Sequence, residues 1–152
     1  MAYITEEARQ ELLDTVAEAT DELGVALAAL GDAYEQLDER GADKLEDELF
    51  RPAQAAYGRL KRTYAEFAGR HGLPVRTFQP AMRGLPSTGV KGFLEVTVEA
   101  IEQAEAIIVE LQDSMSPVEV GDPPLRAGLA DVRGVLAELT ARSERFVSLF
   151  GR

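Results

Sequence analysis

Few residues in this chain are equipped for covalent or metal chemistry. It has one histidine, His71, and no cysteine. Thiolate nucleophiles, disulfides and thiolate-bound metals are therefore excluded. A di-metal centre in a helical protein needs inward glutamates together with two Glu-x-x-His pairs, and a single histidine cannot supply them. Glu95, Glu99 and Glu102 follow an i, i+4, i+7 spacing, which reads as a solvated ridge on an outer helix face. His71 lies in Gly69-Arg70-His71-Gly72-Leu73-Pro74, at a helix end where an imidazolium suits the dipole. Phosphotransfer would need that ring in mid-helix. No Ser-His-Asp set follows from the spacing. The expectation is no metal, no cofactor and no catalytic residue, and the chain leans away from being an enzyme.

The segment Gly84-Leu85-Pro86-Ser87-Thr88-Gly89-Val90-Lys91 approaches a phosphate-binding loop but departs from it. The working motif places lysine directly after the last glycine, then a hydroxyl residue, and follows a strand. Here Val90 intervenes and Gly92 replaces the hydroxyl. What survives is a glycine-rich turn feeding a helix N-terminus, a geometry that presents N–H groups to an anion. Arg76, Arg83, Ser87, Thr88, Gly89 and Lys91 are thus a candidate site for a small anion. The alternative is that these arginines pair with nearby acids or cap helix carbonyls.

A second constellation is made of hydroxyls. Thr20, Thr63, Thr97 and Ser143 each interrupt an otherwise apolar helical seam. If the helices alternate up and down, the four fall at one level and form a core polar layer. That layer is either four hydroxyls bonded back to their own helices or a pocket for the polar tip of a ligand.

The elements that would position these residues are four amphipathic segments. Apolar residues recur at 3-4 spacing over Val16–Leu37, Leu49–Phe67, Val90–Met115 and Leu125–Phe150. A repeat of about 3.5 residues keeps one narrow seam turned toward its neighbours. The expected fold is all-α, an antiparallel up-down-up-down four-helix bundle, as one domain over 1–152. The first helix is expected from about Thr5 to Glu39, ended by Gly41, with Leu12, Ala19, Ala26 and Ala33 recurring beside its seam. The second runs to Arg70 and should kink or break near Phe50 because of Pro52. The third starts from Ser87 or Thr88 as N-cap, and the fourth from Pro124.

The long connection Gly72–Gly89 carries three prolines and three glycines. It also carries Val75, Phe78, Met82 and Leu85, so it is expected to fold over the open end of the bundle. Val96, Val98, Ile107 and Val109 make the third helix apolar over a wide arc, which points to self-association through it.

Charge is blocked along the chain. Residues 1–48 carry net −12, 49–94 net +7, 95–122 net −8 and 123–152 net +2, for −11 in all. In an alternating bundle this places opposite signs at every lateral interface. A field this acidic disfavours nucleic acid. The N-terminus lacks a signal-peptide pattern and no apolar run reaches the roughly 20 residues of a membrane span. A cytoplasmic location without membrane association is the expectation. The functional reading is a non-catalytic interaction or scaffold protein, binding a protein partner or itself. The alternative is a bundle that binds a small ligand through the 72–91 loop and the hydroxyl layer.

Overall fold

The structure, a computed structural model, describes residues 2–82 and 89–150, with side chains described for 5–82 and 89–149. It is all-helical, with no strand among the described residues. Helix α1 spans Ala2–Gln36, beginning before Thr5. Its end is set by Asp38, whose extended backbone and carboxylate, accepting from the Gly41 amide at 2.7 Å, start a new helix, α2 (Glu39–Leu45). Gly41, expected to end the first helix, is buried inside α2 instead.

A π-helical turn, Glu46–Phe50, joins α2 to α3 (Arg51–Arg70). Its cause is Pro52, which has no N–H and whose ring would press on the carbonyl four residues back. The chain answers by widening just ahead of the proline, so that the Arg51 N–H donates to Glu46 O, five residues back. The expected break near Phe50 is therefore a change of register within a continuous helical run.

Helix α4 spans Val90–Asp113, the single turn α5 Ser116–Glu119, and α6 Pro123–Phe150. The N-cap of α4 is Gly89, at φ 90°, with no side-chain cap bond. Ser87 and Thr88, expected in that role, lie outside the described residues. Met115 stands between α4 and α5 at φ 69°, a left-handed conformation that reverses the chain after Ser114.

The order and direction of the helices differ from the alternating arrangement. α1 packs against α3 and α4, and α6 packs against the same two; among the described residues the backbones of α3 and α4 stay apart. Arg9 near the start of α1 reaches Val120 O, and Arg70 at the end of α3 pairs with Asp122 at the start of α6. The same end thus holds the start of α1, the ends of α3 and α4, and the start of α6. The sequence of directions is up, down, down, up. Every lateral pair is antiparallel, and α3 and α4 run parallel on a diagonal.

One consequence concerns the long connection. Because α3 ends where α4 also ends, the chain must climb the length of the molecule to begin α4. As far as Met82 it does so along the side, over α1 and α3, rather than over an end. Leu73 is buried, the Phe78 ring meets Tyr64 edge-on at 5.0 Å, and Met82 packs against the core. Pro80 lies over Gly24 of α1. Val75 stays exposed, and Leu85 lies outside the described residues.

The seams do meet in one core, including Leu23, Leu60, Ile101 and Leu136, all fully buried. Leu12, Ala19, Ala26 and Ala33 are buried as well. α3 and α6 approach closely at Gly128, where an added Cβ would stand 2.2 Å from Thr63 Oγ1. Gly128→Ala is therefore expected to cost about 2–3 kcal/mol. Thr63→Ala in the same chain should recover a good part of it, giving a coupling of at least about 1 kcal/mol in a double-mutant cycle by chemical denaturation. Strictly additive losses would mean that the two helices are not neighbours.

Candidate functional site

The candidate anion site is not assembled among the described residues. Arg76 makes a bidentate pair with Asp21 of α1, at 3.0 and 2.5 Å, and its guanidinium stacks 4.3 Å from the Phe78 ring centroid. The Asp21 hydrogen bond raises the Arg76 pKa further. Its charge is spent on fastening the connection to α1. Lys91 is exposed on the first turn of α4. Asp21 lies close to the level of Ile107, since Thr15 and Glu18 face Ile107 to Ser114. Lys91 is thus removed from Arg76 by roughly 24 Å of helix. Gly89 caps the same turn as Lys91, while Arg83, Ser87 and Thr88 lie outside the described residues.

The four hydroxyls are all buried, and each is satisfied within its own helix. Thr20 donates to Val16 O, Thr63 to Arg59 O, Thr97 to Phe93 O and Ser143 to Thr140 O, at 2.8 to 3.0 Å. They do not share one layer. Thr63 sits against Gly128, and Ser143 lies some four turns, roughly 22 Å, further along α6. Thr20 is near the level of Thr63, whereas Thr97 is toward the other end with Ser143. The single layer follows only if α4 runs up and α6 runs down, and both directions are reversed here.

A hydrogen-bonded ionisable cluster stands at the end of α3. Asp122 accepts from Arg70 Nε at 2.7 Å, Arg70 Nη2 at 2.8 Å and the Leu125 amide at 2.9 Å, and His71 Nε2 lies 3.0 Å from it. Burial alone would push this carboxyl up. The hydrogen bonds from Arg70, Leu125 and His71, with the Arg70 charge, outweigh burial and hold it down to about 2. The His71 ring also rests on Phe67, at 4.5 Å between centroids. Each partner fixes a chain end: Asp122 caps α6 and ties it to the last turn of α3. The cluster is a structural clamp, and His71 belongs to it.

A surface that sequence reasoning missed comes from helix order. α1 and α4 share the most extensive interface in the molecule, and both lie in acidic blocks of the chain. A groove of about 290 Å³ follows this interface, lined by Thr15, Glu18, Ile107, Glu110, Leu111 and Ser114. Glu18 and Glu110 are exposed on its rim, Leu111 is buried and Ile107 half-buried in its floor. On the far side of α4, Glu102 is hydrogen-bonded to Glu144 of α6, and this contact raises its pKa, with burial and the nearby Glu144, Glu105 and Glu99 charges adding to it. The acidity of both blocks was legible in the sequence; their adjacency was not. Among the described residues no group of three or more His, Asp or Glu side chains is arranged to hold a metal ion, and no helix is long and apolar enough to cross a membrane.

Compared with known proteins, the chain matches no family model, no curated protein and no solved structure.

The clamp gives a pH dependence whose sign is fixed. The Asp122 pKa is lower folded than unfolded, so its contribution is complete above the unfolded value of 3.8 and is lost as pH falls toward about 2. It amounts to about 2 kcal/mol near neutrality. Asp122→Asn should be less stable than wild type by that order at pH 7, and the gap should close between pH 4 and pH 2 in thermal unfolding followed by circular dichroism. A gap that stays constant through acid would show that the carboxylate charge is not what fastens α6.

Proposed function

We propose that this chain is a cytoplasmic four-helix-bundle interaction module whose working surface is the acidic α1–α4 face, and that its partner is a basic protein segment. The observation that carries this reading is the adjacency of the two acidic helices. Opposite charge at every lateral interface would have been a device for choosing helix order. With α1 beside α4, the same residues instead bring like charge together, and self-repulsion of this kind lowers the stability of the compact state. A feature that opposes folding calls for another role, and recognition of a cation is the one its chemistry suits. The groove between the helices supplies what a charge cluster lacks: an apolar floor at Ile107 and Leu111 under the carboxylates of Glu18 and Glu110. A lysine or arginine side chain has this same division, an apolar stem under a charged head.

The same face argues against a second copy of this chain as occupant. Two such faces would set acid against acid. The apolar surplus of α4 is also largely covered within one chain, since Val96 and Ile107 pack on the core and Val98 and Val109 are half-buried. Self-association through this helix therefore loses its driving force. The small-anion alternative is weakened in the same way, because Arg76 is already paired with Asp21.

The test is a titration with a short alternating Lys–Leu peptide, against its lysine-acetylated form as neutral control. Wild type should bind the charged peptide alone, and affinity should fall steeply as salt is raised. Glu18→Gln with Glu110→Gln should weaken binding by about fivefold. Glu39→Gln with Asp43→Asn, which removes as much charge elsewhere, should change it by less than about twofold. Equal weakening by both pairs would reduce the interaction to the net charge of the molecule and sink the reading.

A further inference from the structure

A second concavity lies on the other flank of α1, away from the Glu18–Glu110 groove. It has a volume of about 350 Å³ and is lined by Gly31, Tyr34 and Glu35 of α1 and by Glu46 and Phe50 of the π-helical turn. Its walls have an unusual composition. Tyr34 is a large aromatic left 41% exposed, and Phe50 is half-buried. Two carboxylates line it with them. Among the described residues neither Glu35 nor Glu46 has a hydrogen-bonded or ion-paired side-chain partner. At Gly31 a Cβ would meet nothing within 4 Å, so the hollow is open where the glycine lies.

The chemistry of these walls selects a ligand class. Aromatic faces carry negative quadrupole and attract cations. Two carboxylates add to the attraction, and a volume near 350 Å³ is at the small end of ligand pockets. A hard metal ion would want oxygen donors on several sides, and two of the side chains here are rings. We infer that this pocket binds a small organic cation, an alkylammonium or quaternary ammonium group, with Tyr34 and Phe50 as its aromatic walls and Glu35 and Glu46 as its counter-charges. The π-helical turn has a part in this. It places Glu46 and Phe50 one turn apart on a widened backbone, beside the gap left by Gly31. Pro52, which forces that turn, thereby shapes the pocket from a distance. This inference stands apart from the basic-partner reading, since it uses neither Glu18 nor Glu110.

The experiment follows backbone amide shifts by NMR in the intact chain while choline is added, alongside its neutral carbon isostere 3,3-dimethylbutan-1-ol. A third titration uses Nα-acetyl-lysine amide, which separates a free quaternary ammonium from a lysine side chain as the source of the cation. The expected result is saturable shifts centred on Gly31–Glu35 and Glu46–Phe50 with choline or the lysine derivative, and none with the alcohol. Tyr34→Ala and Glu46→Gln should each weaken binding by roughly five- to tenfold, with the fold monitored by circular dichroism. Equal shifts with the neutral isostere, shifts located elsewhere, or unchanged affinity in both folded variants would each overturn the proposal. The isostere comparison uses only wild type, so it decides the matter even where a variant fails to fold.

Discussion

Everything in this molecule is conditioned by one constraint: α3 and α4 run in the same direction on a diagonal. Parallel diagonal helices leave all four lateral interfaces antiparallel, so each helix dipole runs opposite to those of its two neighbours. They also force the chain between them to travel the full length of the molecule. Leu73 to Met82 take no helical form, and non-helical chain covers in a few residues as much distance as several helical turns. It is held at three points by different physics: burial of Leu73, the edge-on contact of Phe78 with Tyr64, and the Arg76–Asp21 ion pair. A segment of that length cannot be left loose without a large loss of order. The apolar and charged residues within it are what make it part of the fold.

The charge distribution follows from the same constraint. Basic residues of the second block meet an acid of the fourth, through Arg59 with Asp131, and the last acid of the third, through Arg70 with Asp122. Arg76 turns back to α1. At the α1–α4 interface the carboxylates of Glu18 and Glu110 are both exposed. Exposed carboxylates at this density are tolerable because water screens them. The carboxyl of Glu102 beside Glu144, whose pKa is raised, shows where screening falls short. Two of the concavities on α1 differ in chemistry. One has an aliphatic floor, Ile107 and Leu111; the other has aromatic walls, Tyr34 and Phe50.

Much of the detail was legible in the residues themselves because it depends on neighbours within a turn or two. Most seam positions are buried, including all four hydroxyls, each bonded to its own helix as a lone helical threonine or serine can be; Tyr34 and Met115, near the ends of their helices, are exposed instead. Pro52 marked the place where the second helix changes. The helix widens there into a π-helical turn, where a kink or a break was expected. Asp122 was not singled out, although an aspartate three residues before Leu125 is a recognisable cap. Its partners Arg70 and His71 are 52 and 51 residues away in the chain, and nothing local announces them.

By itself the sequence determined most of the residues that face inward, where the four long helical segments start and stop to within a few residues, and how charge is apportioned among them. Helical periodicity gives the rotation of a side chain about its own axis, and composition gives the sign of each segment. Neither gives the direction of a helix relative to the others or which helices are neighbours. Those were decided by tertiary structure. A connection as long as Gly72–Gly89 permits the next helix to start at either end, whereas the two-residue turn at Leu37–Asp38 does not. Packing then chose. Gly128 admits Thr63 at the α3–α6 contact, and the Asp122 clamp secures it, which puts α4 beside α1. The acidic face exists because of that choice.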